Sequence, residues 1–336
     1  MNKSENIHIS FLIFPGFPMA CLTSMIEPLR AANEIAAKDM FAWQLVSEDG
    51  QRIVSSAGVA FEPDCALSPE LGSDVLFLLS GPLAQPENPA HANAILRTLD
   101  RHGTVMGGIS GGVFPLVRAG VMEGHRCSVH WCYEAAFRAE FPQIRAVDDV
   151  IVTDRRRYTV SGAAAAFDLA LRLIEERLGD EIANEVACWF QHPLMRGEGV
   201  RQRVPQPVTL PKTTQSGLPD LVARAVDLFA SRLEHPISVA EVAQTLGVTP
   251  RQVERAFKKA TGQNPTQYYR GLRMKAARQL VLYSKDSMAQ IAEAVGYGST
   301  TPLLMHYRAA FGIAPQEDRQ NINVFRVQGN VPVPSV

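Results

Sequence analysis

A repeat in the last third of the chain constrains its fold more than any other feature. Ser238-Val239-Ala240-Glu241 fits the S-x-x-E capping box, and Ser287-Met288-Ala289-Gln290, 49 residues later, fits S-x-x-Q. In the first copy Val239, Val242, Ala243 and Leu246 fall at i, i+3, i+4 and i+7; Met288, Ile291, Ala292 and Val295 do so in the second. That spacing is the apolar stripe of a short amphipathic helix. Each helix is expected to stop at a glycine, Gly247 or Gly296, because glycine suits the left-handed residue at a helix C-terminus. A second helix follows each stop. Thr249 can cap the first, with Pro250 in its first turn; Ser299, Thr300 or Thr301 can cap the other, with Pro302 placed similarly. These helices run to Gly262 and Gly312, and Pro265 and Pro315 come three residues later in each copy. Matched caps, stops and prolines predict two helix-turn-helix motifs in an all-α domain. Between the copies, residues 265–284 place Tyr269, Leu272, Ala276 and Leu280 on one face. A helix of about 20 residues spans about 30 Å, close to the roughly 34 Å of one turn of B-DNA.

The chain before this repeat has a different texture. From Ile7 to about Phe190, short apolar runs ("IHISFLIF", "AWQLVSED", "VLFLLSG", "TVMGGIS") alternate with helix-like stretches such as "SMIEPLRAANEIAA" and "HANAILRTLDRH". This alternation predicts an α/β domain with a mostly parallel sheet covered on both faces. "VIVTDRRRYTVSG" reads as a hairpin with a polar, solvated tip, and two more helices follow it. After His192 the periodicity fades and Pro205, Pro207, Pro211 and Pro219 crowd the sequence. The expected division is an α/β domain at 1–195, a linker at 196–217, the helical domain at 218–320 and a loose tail at 321–336.

The 336 residues, 46% of them hydrophobic, suffice for two cores. No apolar run reaches the ~18 residues of a membrane span. "ISFLIFPGFPMACL" is interrupted by Pro15 and Pro18 and lacks a small-x-small cleavage site, so it is expected to be a buried strand rather than a signal peptide. The five cysteines contain no C-x-x-C, which argues against a zinc site or a disulfide framework and for a reducing, cytoplasmic setting. Net charge is −1, but residues 1–195 carry 15 Lys and Arg against 24 Asp and Glu, whereas residues 196–319 carry 17 against 10. Only the second part has the charge to meet a polyanion.

Gly108-Ile109-Ser110-Gly111-Gly112 fits the G-x-S-x-G nucleophile elbow, in the strand–turn–helix setting that the motif needs. Ser110 can be a nucleophile with His130 as base, a tight turn that only lets strand and helix pack, or an elbow that binds ligand. The last reading rests on backbone N–H groups of Gly111 and Gly112 and on the partial positive charge of a helix start, which suit a carboxylate. Glycine spacing does not match a nucleotide-phosphate loop. Trp131 or Tyr133 can face a cation, and Glu27 can pair with an ammonium or guanidinium group. His125, Cys127, His130 and Cys132 lack metal-ligand spacing, so no metal or other cofactor is expected.

Both parts of the chain carry a resemblance. "ISVAEVAQTLGVTPRQVERAFKKATGQNPTQYYRGLRMKAARQLVLYSKDSMAQIAEAVGYGS", ending in "FGIAP", is similar to the twin helix-turn-helix domain of AraC/XylS regulators. The opening strand, "EPLRAAN" and "GGISGGVFPLVRAGVMEGHRCSVHW" resemble the ThiJ/PfpI, class I glutamine amidotransferase-like fold, which is flavodoxin-like. Together they resemble the GlxA-type regulators, and "GGISGG" with "HW" resembles those that control arginine, glycine betaine or carnitine use. The resemblance implies a cytoplasmic activator whose partners are promoter DNA, a small carboxylated amine as effector and a second copy of the chain in a homodimer, with no membrane. It places Arg251, Glu254 and Arg255 in the major groove, where Arg reads guanine and Glu accepts from cytosine. Lys258 and Lys259 are expected at phosphates. On the second recognition helix Thr300, Thr301 and His306 remain contacts, but Leu304 and Met305 stand where polar residues are usual; they either touch thymine methyls or leave this helix to dock on the backbone. The superfamily nucleophile is a cysteine, and Ser110 takes its place, which argues for a non-catalytic sensor. The alternative is an amidase-like or serine hydrolase, with Ser110 and His130, fused to a DNA-binding domain.

Overall fold

The computed structural model describes residues 6–192, 196, 199–202, 219–284 and 286–321. Most of the expected linker, and the expected tail beyond Asn321, lie outside the described residues. The chain forms two compact units, within Met1–Gln202 and Arg203–Asn321.

The first unit begins with β1 (Ile7–Ile13), α1 (Met19–Ala36) and β2 (Phe41–Ser47), followed by the two-residue strands β3 (Ile53–Val54), β4 (Ala60–Phe61) and β5 (Cys65–Ala66). Next come β6 (Val75–Ser80), α2 (Pro89–Arg101), β7 (Val105–Ser110), α3 (Val113–Arg118), β8 (Arg126–Ser128), α4 (Glu134–Glu140) and β9 (Arg145–Val147). It closes with β10 (Ile151–Asp154), β11 (Arg157–Val160), α5 (Ala163–Leu178) and α6 (Asp180–Trp189). The main sheet has the order β10-β11-β7-β6-β1-β2-β5. All its pairings are parallel except β10 with β11. The segment β2-β1-β6-β7-β11 is the doubly wound, flavodoxin-like order, whose ligand crevice lies at the carboxyl ends of the strands.

Burial explains the apolar runs. Every residue of β6 is buried, as a strand covered on both faces requires. Phe77 and Leu79 join the core beneath α1, α5 and α6, while Leu76 and Leu78 are fully buried on the opposite face. The run expected to be a buried strand rather than a signal peptide opens with β1, in the interior of the sheet. The β10–β11 hairpin exposes Arg155 and Arg156, but Arg157 is buried and ion-paired to Asp100 at 2.8 Å, so the tip is only partly solvated.

The second unit consists of α7 (Asp220–Ala230), α8 (Val239–Leu246), α9 (Pro250–Thr261), α10 (Pro265–Tyr283), α11 (Met288–Ala294), α12 (Thr300–Phe311) and α13 (Pro315–Asn321). Reciprocal capping boxes start α8 at Ser238, α9 at Thr249, α10 at Asn264 and α11 at Ser287. Ser299 holds the N-cap position of α12 but makes no side-chain capping bond. Gly247, Gly262, Gly296 and Gly312 all adopt positive φ, as the helix stops require. Val222, Ala225 and Phe229 of α7 pack with Val242, Val253, Phe257 and Tyr269 into one core. α10 also packs on α11, α12 and α13. Among the described residues no helix is long and apolar enough to cross a membrane.

Candidate functional site

Ser110 is the last residue of β7 and holds φ +56, the left-handed region that a strand-to-helix elbow imposes. Its side chain would otherwise avoid this region. Two glycines make the turn possible. A Cβ on Gly111 would sit 2.3 Å from Ser80 O, and one on Gly112 would sit 1.8 Å from Leu78 O. The Gly112 N–H closes the turn on Ile109 O at 3.0 Å, so it is not available to a ligand. The part of Gly112 is steric, which corrects the expectation that it donates. The Gly111 N–H faces Ser80 O, continuing the β6–β7 ladder past Ser110.

Ser80 ends β6 directly opposite Ser110. Its Oγ is buried without a hydrogen bond, an unfavourable state for a hydroxyl. Among the described residues the Ser110 hydroxyl also takes no hydrogen bond. Sequence reasoning missed Ser80, because nothing local marks it; parallel pairing of β6 with β7 brings the two hydroxyls side by side.

His130 reaches the same end of the sheet by another route. β11 pairs with β7, Val160 opposite Ile109, and a Cβ on Gly162, just beyond β11, would lie 3.4 Å from the His130 ring. Burial pushes the His130 imidazole down to about 4, so the ring is neutral near pH 7. Its Nδ1 accepts from the Cys132 backbone N–H at 3.3 Å and lies 2.9 Å from the Cys132 Sγ. An accepting Nδ1 on a neutral ring leaves the proton on Nε2. His130 thus offers a donor. A base that activates serine needs the opposite tautomer, with Nε2 bare and Nδ1–H held by an acceptor. No hydrogen bond joins Ser110 to His130 among the described residues.

The remaining candidates divide. The Trp131 ring lies 5.5 Å from His130 and is partly exposed. Tyr133 is buried against Phe114 and His130, so it packs rather than faces a cation. Glu27 lies half exposed on α1, where its carboxylate is ion-paired to Arg30 at 3.0 Å. A hollow of about 440 Å³, lined by Arg30, Asn33 and Trp43, includes none of the elbow residues. All five cysteines are free thiols. Among the described residues no group of three or more His, Cys, Asp or Glu is placed to hold a metal ion.

On the second unit, Arg251, Glu254, Arg255, Lys258 and Lys259 are all exposed on one side of α9, while Val253 and Phe257 are buried on the other. The i, i+4 burial of those two anchors aims the charged residues outward. Lys258 Nζ donates to Gly262 O at 3.0 Å and so caps its own helix. Lys259 has no such bond among the described residues. On α12, Leu303 and Tyr307 are the buried anchors. Thr301 is exposed, Thr300 partly so, and His306 is half-buried with Nδ1 2.8 Å from Tyr297 Oη. Burial, then Arg270 and Arg273, hold the His306 pKa below its ordinary value. Arg273 stacks on Tyr297 at 4.1 Å and donates to Val295 O and Gly296 O, each at 2.6 Å, pinning the end of α11 to α10.

The comparisons with known proteins agree with this geometry. A helix-turn-helix domain model matches residues 242–321, and the DJ-1/PfpI family model matches residues 9–176. The HTH-type transcriptional regulator GbdR of Pseudomonas aeruginosa is 32% identical over 326 residues, covering 97% of this chain and 88% of the relative. CdhR, an HTH-type transcriptional regulator of the same species, is 34% identical over 312 residues, covering 92% and 90%. A solved AraC family transcriptional regulator from Pseudomonas putida superposes with a TM-score of 0.50 and 28% identity, covering 55% of this chain and 99% of that one. With a doubly wound domain whose β7 ends in an elbow and, later in the chain, a twin helix-turn-helix unit, the chain belongs to the AraC-type DNA-binding transcription regulators that carry a DJ-1/PfpI domain.

Proposed function

We propose that the first unit is a non-catalytic sensor that binds a small carboxylated amine or amino acid and alters how the second unit engages promoter DNA. One observation carries this reading: unpartnered donors gather at the carboxyl end of the sheet. They are the Ser80 and Ser110 hydroxyls, with His130 presenting Nε2–H nearby. Several donors around a glycine turn suit a carboxylate. The partly exposed Trp131 ring suits the cationic end of a betaine, carnitine or arginine. A homodimer suits this role, because paired half-sites on DNA call for a two-fold protein; action as an activator in the cytoplasm follows from the likeness to the regulators alone.

The hydrolase alternative is opposed by the His130 tautomer and by the lack of a hydrogen bond between Ser110 and His130. The deciding experiment is a thermal-shift screen of glycine betaine, carnitine, arginine and related amines. A ligand at about 100 times its Kd adds about 2.7 kcal/mol of stability by mass action. Ester or amide turnover that vanishes in Ser110→Ala would establish the hydrolase instead.

A further inference from the structure

Gln202, the last described residue before 203–218, holds the backbone on both sides of His130. The Trp131 N–H donates to Gln202 Oε1 at 2.8 Å, and Gln202 Nε2 donates to Val129 O at 2.7 Å. The backbone around it is anchored as well. The Gln202 N–H donates to Asp148 O and the Val150 N–H to Val200 O, each at 2.8 Å. Asp149 bridges Arg201, and Ser128 Oγ donates to Asp149 O at 2.6 Å. We propose that Gln202 is the positioning residue that couples the elbow site to the connection between the units. A shift of the Val129–His130–Trp131 backbone must carry Gln202 with it or break two hydrogen bonds. A ligand that prefers one of those arrangements therefore selects how the connecting segment leaves the sensor. This rests on the sensor reading. Asparagine keeps the amide but is one methylene too short to span both partners.

The test uses full-length protein, glycine betaine, carnitine and arginine as probes, and a duplex selected from a random library by the wild type. The wild type is expected to change its DNA affinity by at least about fivefold when effector binds, the lower end of ordinary allosteric coupling. In Gln202→Asn and Gln202→Ala, effector affinity should stay within about twofold while that change falls to about onefold. Variants that keep the wild-type change overturn the proposal, as do variants that lose effector affinity and coupling in step. If the wild type takes none of the probes, the sensor reading fails by itself. Trypsin cleavage after Arg203 and Lys212 then decides the clamp: faster cleavage in both variants supports it, and equal rates overturn it.

A separate observation concerns α12. Val253 and Phe257 of α9 and Leu303 and Tyr307 of α12 are fully buried anchors 50 residues apart, as are the terminal glycines 262 and 312. In this register Met305 stands where Arg255 stands on α9. Its side chain is 61% exposed, and no other large apolar side chain is so exposed among the described residues of this unit. Methionine offers no strong hydrogen bond to a base edge, and the apolar group on the major-groove edge is the thymine C5-methyl. The geometry points to Met305 as a specificity-determining residue that reads one thymine by apolar contact. Replacing thymines of the selected duplex one at a time by deoxyuridine removes that methyl alone. One position should weaken wild-type binding about fourfold, the value of a buried methyl, and leave Met305→Ala unaffected. If every substitution acts equally on both proteins, Met305 does not read a thymine methyl.

Discussion

At the scale of single residues, Ser110 and His130 carry the sensor reading. A serine at φ +56 stores about 1–2 kcal/mol of backbone strain that glycine would not. Ser110→Gly is expected to raise the melting temperature of the apo protein, and Ser110→Ala to leave it nearly unchanged. Both should lose the effector-induced thermal shift, because both lack the hydroxyl. A shift retained in both would remove Ser110 from the site. His130 sets a pH dependence whose sign is fixed. Its folded pKa is about 4 against an ordinary value of 6.5, so between these values the unfolded chain binds more protons than the folded one. Its contribution is complete above about pH 6.5 and is lost as pH falls toward 4. Thermal melts from pH 7 down to 4 should show a shallower loss in His130→Gln than in the wild type. His125, depressed mainly by burial, adds to the same trend and remains in both proteins.

At the scale of elements, the two helix-turn-helix copies are held at a fixed spacing by a few close contacts. Gly296 combines φ +72 with a site where a Cβ would lie 2.4 Å from Pro236 Cγ and 2.5 Å from Leu233 O. Gly296→Ala is therefore expected to destabilise the second unit by about 1–3 kcal/mol or more, seen as an earlier unfolding transition in calorimetry. Gly262→Ala, with the same left-handed φ but open space around it, should cost less. On α9 the exposed residues are expected to separate by role. Arg255→Ala should relax the preference for one base pair by about 1–3 kcal/mol in a competition assay. Lys259→Ala should weaken all sequences alike and reduce the salt slope by about one unit. Matching losses on every sequence from both substitutions would place Arg255 at a phosphate. The helical repeat was legible in the sequence because caps, stripes and glycine stops are local signals. The strands β3, β4, β5, β8 and β9 were not, since runs of two or three residues become strands only through their partners.

At the scale of the whole molecule, sensing and DNA binding are reciprocal if they share one equilibrium. An effector that tightens DNA binding by a given factor must itself be bound more tightly, by that factor, in the presence of operator. Calorimetric titration of effector into full-length protein with and without the selected duplex measures this directly. Equal affinities in the two titrations would leave two independent functions on one chain. By itself the sequence determined the two-part architecture, the α/β and all-α classes, the duplicated DNA-binding motif and the turn at Ser110. Each is written in the order and spacing of nearby residues. Tertiary structure alone decided which distant groups meet. Parallel pairing placed the Ser80 hydroxyl beside Ser110, burial fixed His130 as a neutral donor, and Gln202 closed on the backbone either side of it. Those contacts depend on strand register and on low-dielectric surroundings, which exist only once the chain has folded.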